Sequence, residues 1–267
     1  MNVRGMGLAL LALCLLGGLI AALFTPAIAA TLTLPPTPAS GQVVPPVGSS
    51  PVRKPTVVAT EPATLPTMPA GMTVLAQDTF QRPDATLWGN ASDGHPWGGD
   101  ANTNPAFAIV NHAGQISGAR GALQATINVT TSDAEILITG SANQFSANGA
   151  VNLGGVLRWQ DARNWYKVLI NGSVFQLLRA VNGKISVLAA KPFAAVGGTS
   201  YSIRFRALGS SLFAKTWPSA QAEPANWTFM LNDTQLATGV GGIRALLAPG
   251  AIVRVTSFIE TSVPATM

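Results

Sequence analysis

"GGVLRWQDARNWYKVLINGSVFQLLRAVNGKISVLAAKPF", residues 154–193, holds runs of β-branched, aromatic and aliphatic residues separated by short polar turns. Asn182-Gly183 stands between two of those runs. A two-residue type I′ turn demands such a pair, because both central positions take positive φ. Asn171-Gly172 in "LINGSVF" repeats the signal and predicts a second tight hairpin. No apolar residues recur at the helical spacing, so the segment reads as antiparallel strands.

The same texture continues in both directions. "VLAQDTF", "FAIVNHAGQIS", "ALQATINV" and "DAEILITGS" precede this segment; "SYSIRFRALG", "SLFAKTW", "WTFMLND" and "AIVRVTSFIE" follow it. Tyr201, Ile203 and Phe205 alternate with Ser202, Arg204 and Arg206, which predicts one buried face and one wet face. "RALGSSLF" predicts a further turn at Gly209 and Ser210. The expected fold class is all-β, an antiparallel two-sheet jelly-roll sandwich over residues 73–262 with a tail at 263–267. Only 10% of residues are charged, too few for the outer faces of a helical bundle.

The order of the pieces resembles the laminin-G-like branch of the concanavalin A-like lectin/glucanase superfamily. The resemblance rests on "LAQDTFQRPDATLWG", with Asp78 and Phe80 ahead of Trp88, and on a Gly-Gly strand leading to adjacent aromatics, Trp165-Tyr166. It implies a jelly roll and, for function, a choice among lectins, glycan-binding modules, adhesion domains, glycosidases and polysaccharide lyases. The fold alone does not choose among them. "WPSAQAEPANWTF" replaces the short hairpin usual in that pattern, so this connection is a candidate for specificity.

Ahead of the sandwich, Arg4, the apolar stretch Met6 to Phe24 and "TPAIAA" read as a secretory signal peptide, residues 1–29, cut after Ala29. An uncleaved anchor is the alternative, and would be the only membrane attachment. Residues 30–72 are rich in Pro and Thr and read as a disordered linker. Cys14, the only cysteine, lies in the signal segment, leaving the mature chain no disulfide and no thiolate metal site. The expected location is therefore secreted or cell-surface. The net charge of +5 is spread singly, with no basic run longer than Arg53-Lys54, which argues against a nucleic-acid partner.

Candidate chemistry is sparse. Asp133 and Glu135 share one face of a strand, but Ile138 and Thr139 stand where the glucanase pattern places its next acid. His95 and His112 both sit in turn-like sequence, and no nucleophile-elbow motif occurs. "SDGHPWGGDANTNPAF", residues 92–107, offers Asp93, Asp100 and Asn102 as candidate calcium ligands, although Asp and Asn also serve turns. Six tryptophans supply aromatic faces. Trp97, Trp159, Tyr166, Trp217 and Trp227 are the candidate sugar platform, with Arg158 and Asp161 as orienting groups. Trp165 and Tyr166, being adjacent on a strand, must face opposite ways. The expected function is a secreted, non-catalytic module for extracellular carbohydrate. A glycoside hydrolase or polysaccharide lyase with an atypical site and an adhesion module contacting protein are the alternatives.

Overall fold

The computed structural model describes residues 71–264; the expected signal peptide and all but the last two residues of the expected linker lie outside the described residues. In chain order the strands are β1 (Val74–Asp78), β2 (Ala85–Thr86), β3 (Trp97–Gly99), β4 (Phe107–Ile109), β5 (Gly114–Ser117), β6 (Gly121–Thr131), β7 (Ala134–Ala142) and β8 (Leu153–Asp161). They continue as β9 (Asn164–Ile170), β10 (Val174–Val181), β11 (Lys184–Pro192), β12 (Ser200–Leu208), β13 (Ser211–Pro218), β14 (Phe229–Asn232), β15 (Gly239–Leu247) and β16 (Ile252–Ser262). All pairings are antiparallel. One sheet runs β14-β13-β12-β7-β16-β5-β4-β2, with β1 also on β16; the other runs β11-β10-β9-β8-β15-β6-β3. This is the expected two-sheet sandwich.

Alternation along each strand builds the core. Tyr201, Ile203 and Phe205 of β12 point inward, as do Tyr166, Val168 and Ile170 of β9 and Ile136 and Ile138 of β7. Burying a large aliphatic or aromatic side chain contributes about 1.5–3 kcal/mol, so this shared layer stabilises a domain without any disulfide. Two glycines set how closely the sheets approach. A Cβ on Gly155 would lie 2.6 Å from Ile136 Cδ1, and one on Gly241 would lie 2.5 Å from Glu260 Oε1.

Three local findings depart from the sequence pattern. Asn182 (φ 52°) and Gly183 (φ 83°) form the expected tight turn, but Asn171-Gly172 do not; neither residue takes positive φ. There the Asn171 carboxamide accepts from Ser173 N and Val174 N, an Asx turn that replaces the type I′ geometry. The run "FAIVNHAGQIS" is not one strand but the hairpin β4–β5, bent at Asn111 (φ 49°) and His112 (φ 56°). The third departure is β15, in the middle of its sheet, where Gly239, Gly241 and Gly242 hide a strand from the apolar pattern. At the other end, the expected tail begins packed: Val263 is buried and its N–H donates to Asp133 O.

Glu260, inward on β16, is fully buried, and neither carboxyl oxygen has a hydrogen-bond partner among the described residues. Burial pushes its carboxyl up to about 8. Between 4.5 and about 8 the folded chain holds a proton that the unfolded chain has released. Stability therefore falls as pH rises through that window. Glu260→Gln keeps the shape and removes the titration. Its stability advantage, from urea unfolding, should grow by about 2–4 kcal/mol between about pH 5 and about pH 9. An advantage that does not change with pH would contradict an unpaired, protonated Glu260.

Candidate functional site

The polar stretch at residues 92–107 is organised by one buried carboxylate. Asp78, 1% exposed, accepts from Phe80 N, from Ser92 Oγ at 2.9 Å, from Arg82 through both oxygens, and from Trp97 Nε1 at 2.7 Å. A buried charge is tolerated where it is paired and fully hydrogen-bonded, and Asp78 is both. Trp97 is consequently a core residue, 2% exposed, with Trp88 and Phe258 edge-on against it at 5.0 and 5.2 Å. The expectation of a sugar-facing Trp97 fails because its indole N–H is drawn in to Asp78.

The expected calcium ligands are occupied separately. Asp93 accepts from Gln77 N and His95 N, and Asp100 accepts from Gln124 N. The Asn102 carboxamide bridges Gly89 and Trp97 main-chain atoms. These are the bonds of turns, and among the described residues no three His, Cys, Asp or Glu side chains are grouped to hold a metal ion.

Two other candidates also lie inside. Tyr166 is fully buried; its hydroxyl donates to Asp233 Oδ1 at 2.6 Å and accepts from Leu236 N. Burial, with the Asp233 bond added, pushes that phenol up to about 12. Arg158, 3% exposed, does not orient a ligand: it donates to the carbonyls of Ser132, Gly209 and Leu236 and ties three loops together. Asp161 is exposed in the β8–β9 turn, where it accepts from Arg163 N and Asn164 Nδ2.

The connection between Trp217 and Trp227 folds onto the outer face of the nine-stranded sheet. Trp217 is 7% exposed. The Trp227 ring lies under the Arg206 guanidinium (5.2 Å) and the Lys215 ammonium (4.8 Å). Both acids nearby are taken. Glu135 is clamped between Arg204 and Arg206, and Glu223 between Arg204 and Lys215. Each of these three cations thus has a carboxylate partner within the protein.

The outer face of the seven-stranded sheet is built differently. Regular alternation along β8 puts Leu153, Gly155 and Leu157 inward and would send Trp159 the same way. Arg158 instead takes φ 50°, and the registers with β9 and β15 slip there. This β-bulge re-aims Trp159 outward, opposite Val240. It then stacks on Trp165 of β9, with centroids 6.4 Å apart and planes at 10°. The Arg244 guanidinium lies 4.9 Å from the Trp159 centroid and 5.2 Å from that of Trp165. Trp165 is buried in this arrangement, while Trp159 and Arg244 remain partly accessible. Lys167, two residues along β9, shares the face and donates to Asn152 Oδ1 at 2.9 Å.

Of the expected platform, then, Trp159 alone stands on this face, with Asp161 on its rim. Arg244 and Lys167 were not anticipated. Arg244 sits on the glycine-masked β15, and nothing in "NWYKVLI" marks Lys167 as buried.

No protein-family model and no curated protein matches the chain. Solved structures do share the fold. Xylan β-1,4-xylosidase from Bacillus halodurans superposes with a TM-score of 0.54 at 13% identity, over 73% of this chain and 40% of that enzyme. The GH43 protein BlXynB from Bacillus licheniformis gives 0.53 at 12% identity, over 71% and 39%. The chain spans about two fifths of the length of these two enzymes. A carbohydrate-binding module of Bacillus subtilis, CBM66, is similar at 16% identity and a TM-score of 0.49, over 62% of this chain and 95% of the module.

Trp97→Ala should cost about 3–5 kcal/mol in chemical denaturation, the loss expected for a core tryptophan. Asp78→Ala should cost a similar amount, because Arg82 and Trp97 lose one shared partner. A change under about 1 kcal/mol in Trp97→Ala would return that ring to the surface.

Proposed function

We propose that this chain is a secreted, non-catalytic module that binds extracellular carbohydrate on the outer face of the seven-stranded sheet. One observation carries the reading: Trp159 is turned out of the core by a bulge and held flat over Trp165 by Arg244. An aromatic ring offers an apolar surface that matches the C–H face of a sugar ring. Polar groups beside it, Arg244, Gln124 and the Asp161 rim, supply the directed hydrogen bonds that give a ligand its orientation.

The carboxylates support binding over hydrolysis. A retaining glycosidase needs two carboxyls about 5 Å apart with one free to act as nucleophile. Asp133 accepts from Gly209 N, and Glu135 is held by two arginines on the opposite sheet. The fold is shared with a xylan β-1,4-xylosidase, which keeps polysaccharide within the ligand classes to test.

On a glycan array the purified protein should retain a defined subset of glycans. Trp159→Ala should weaken retention by about tenfold or more while leaving the thermal midpoint within a few degrees. Reducing-sugar release from the retained glycan would show an enzyme instead. Retention of no glycan would favour a module that contacts protein.

A further inference from the structure

Cations sit on both outer faces of the sandwich, but their partners differ. On the nine-stranded sheet, Arg204, Arg206 and Lys215 are matched by Glu135 and Glu223. On the seven-stranded sheet, Lys167 has no carboxylate. It is 4% exposed, and Asn152 Oδ1 is its hydrogen-bond partner among the described residues, leaving the other ammonium protons without a protein acceptor. Arg244 donates to Gln124 Oε1 at 3.2 Å and leaves its remaining guanidinium N–H groups unused. Among the described residues, the acid that acts on Arg244 is Asp100, whose carboxylate also accepts from Gln124 N.

Uncompensated buried cations are costly to a fold. Burial first, and then the charge of Arg244, hold the Lys167 ammonium well below the ordinary lysine range. Burial likewise lowers Arg244. Arg244 lies beside the stacked tryptophan pair and Lys167 reaches Asn152 on the same face, and neither cation forms an ion pair among the described residues. The register places them together: Lys167 pairs with Val156 on β8, which pairs with Gly242 on β15, two residues from Arg244. Both intervening outward positions, Val156 and Gly242, are small or apolar and offer these cations no carboxylate.

We propose that the ligand of this face is an acidic sugar, its carboxylate or sulfate ester bound by Arg244 and Lys167 and its ring laid on Trp159. The proposal rests on the carbohydrate reading above and narrows it to a charge class. Arg244 supplies the planar fork that matches an oxyanion, and Lys167 a point charge behind it. An anion there relieves the Lys167–Arg244 repulsion, and its contribution falls with ionic strength as far as the site stays open to solvent.

The test measures affinity of the purified protein for four polymers: polygalacturonate, its fully methyl-esterified form, dextran sulfate and dextran. The acidic forms should bind and their neutral partners should bind at least about tenfold more weakly. Whichever acidic polymer is retained assigns the anion as carboxylate or sulfate. Arg244→Met and Lys167→Met should each weaken that binding by about tenfold, and Lys167→Met should fold at least as stably as the native chain. Arg254→Gln removes an equal charge from the opposite sheet and should change nothing beyond twofold or so. Equal affinity for neutral and acidic polymers overturns the acidic class and leaves the carbohydrate reading intact. An equal loss in Arg254→Gln overturns the site, since net charge would then be the cause. Binding to none of the four, with an empty glycan array, removes both readings together.

Discussion

The Asp78 carboxylate is the constraint from which the ordered start of this domain follows. It is inside the protein, so its lone pairs must find donors, and those donors come from four different residues. Arg82 and Phe80 bend the chain back immediately after β1. Trp97 and Ser92 arrive from a loop that would otherwise have little reason to lie against the core. Phe80 holds a positive φ of 54° in a fully buried position, a conformation that survives because Asp78 accepts its N–H. Around this charge the rings of Phe80, Trp88, Trp97, Phe107 and Phe258 close edge to face. A polar centre thus positions an aromatic corner.

Much of the fold was legible because alternation and turn chemistry are local. Asn182-Gly183 carries its own φ requirement, and the β12 pattern shows its buried face without reference to any neighbour. The opposed faces of Trp165 and Tyr166 follow from strand geometry alone. What could not be read depends on distance. Nothing in "GHPWGGD" says that Trp97 will meet a carboxylate on another strand. Strand β15 escaped for a different reason. Its glycines are there to let a facing sheet come near, as Gly241 does for Glu260, and close approach leaves no apolar signature in the chain. Site residues on such a strand are hidden with it.

The two outer faces use the same materials to opposite ends. Each has a tryptophan beneath basic side chains, at similar distances. On one, glutamates complete the cluster and the long connection after β13 is pinned over it. On the other, among the described residues, neither Lys167 nor Arg244 forms an ion pair. A tryptophan count reports supply, and cannot report which cations have found carboxylates. That pairing, visible only once strands are in register, is what distinguishes the two clusters.

The bulge at Arg158 shows how little separates these outcomes. It does two things at one residue: the arginine turns in to bind three carbonyls, and the following ring turns out. In strict alternation Trp159 would follow Leu157 into the core, so the extra residue is accommodated in a way that keeps the ring outside. Deleting Arg158 would set the tryptophan directly after Leu157 and still outward, and would remove the tie to the three carbonyls. For a lineage of such sandwiches, the anchoring of the surrounding loops can thus be gained or lost by one codon while the aromatic face keeps its direction.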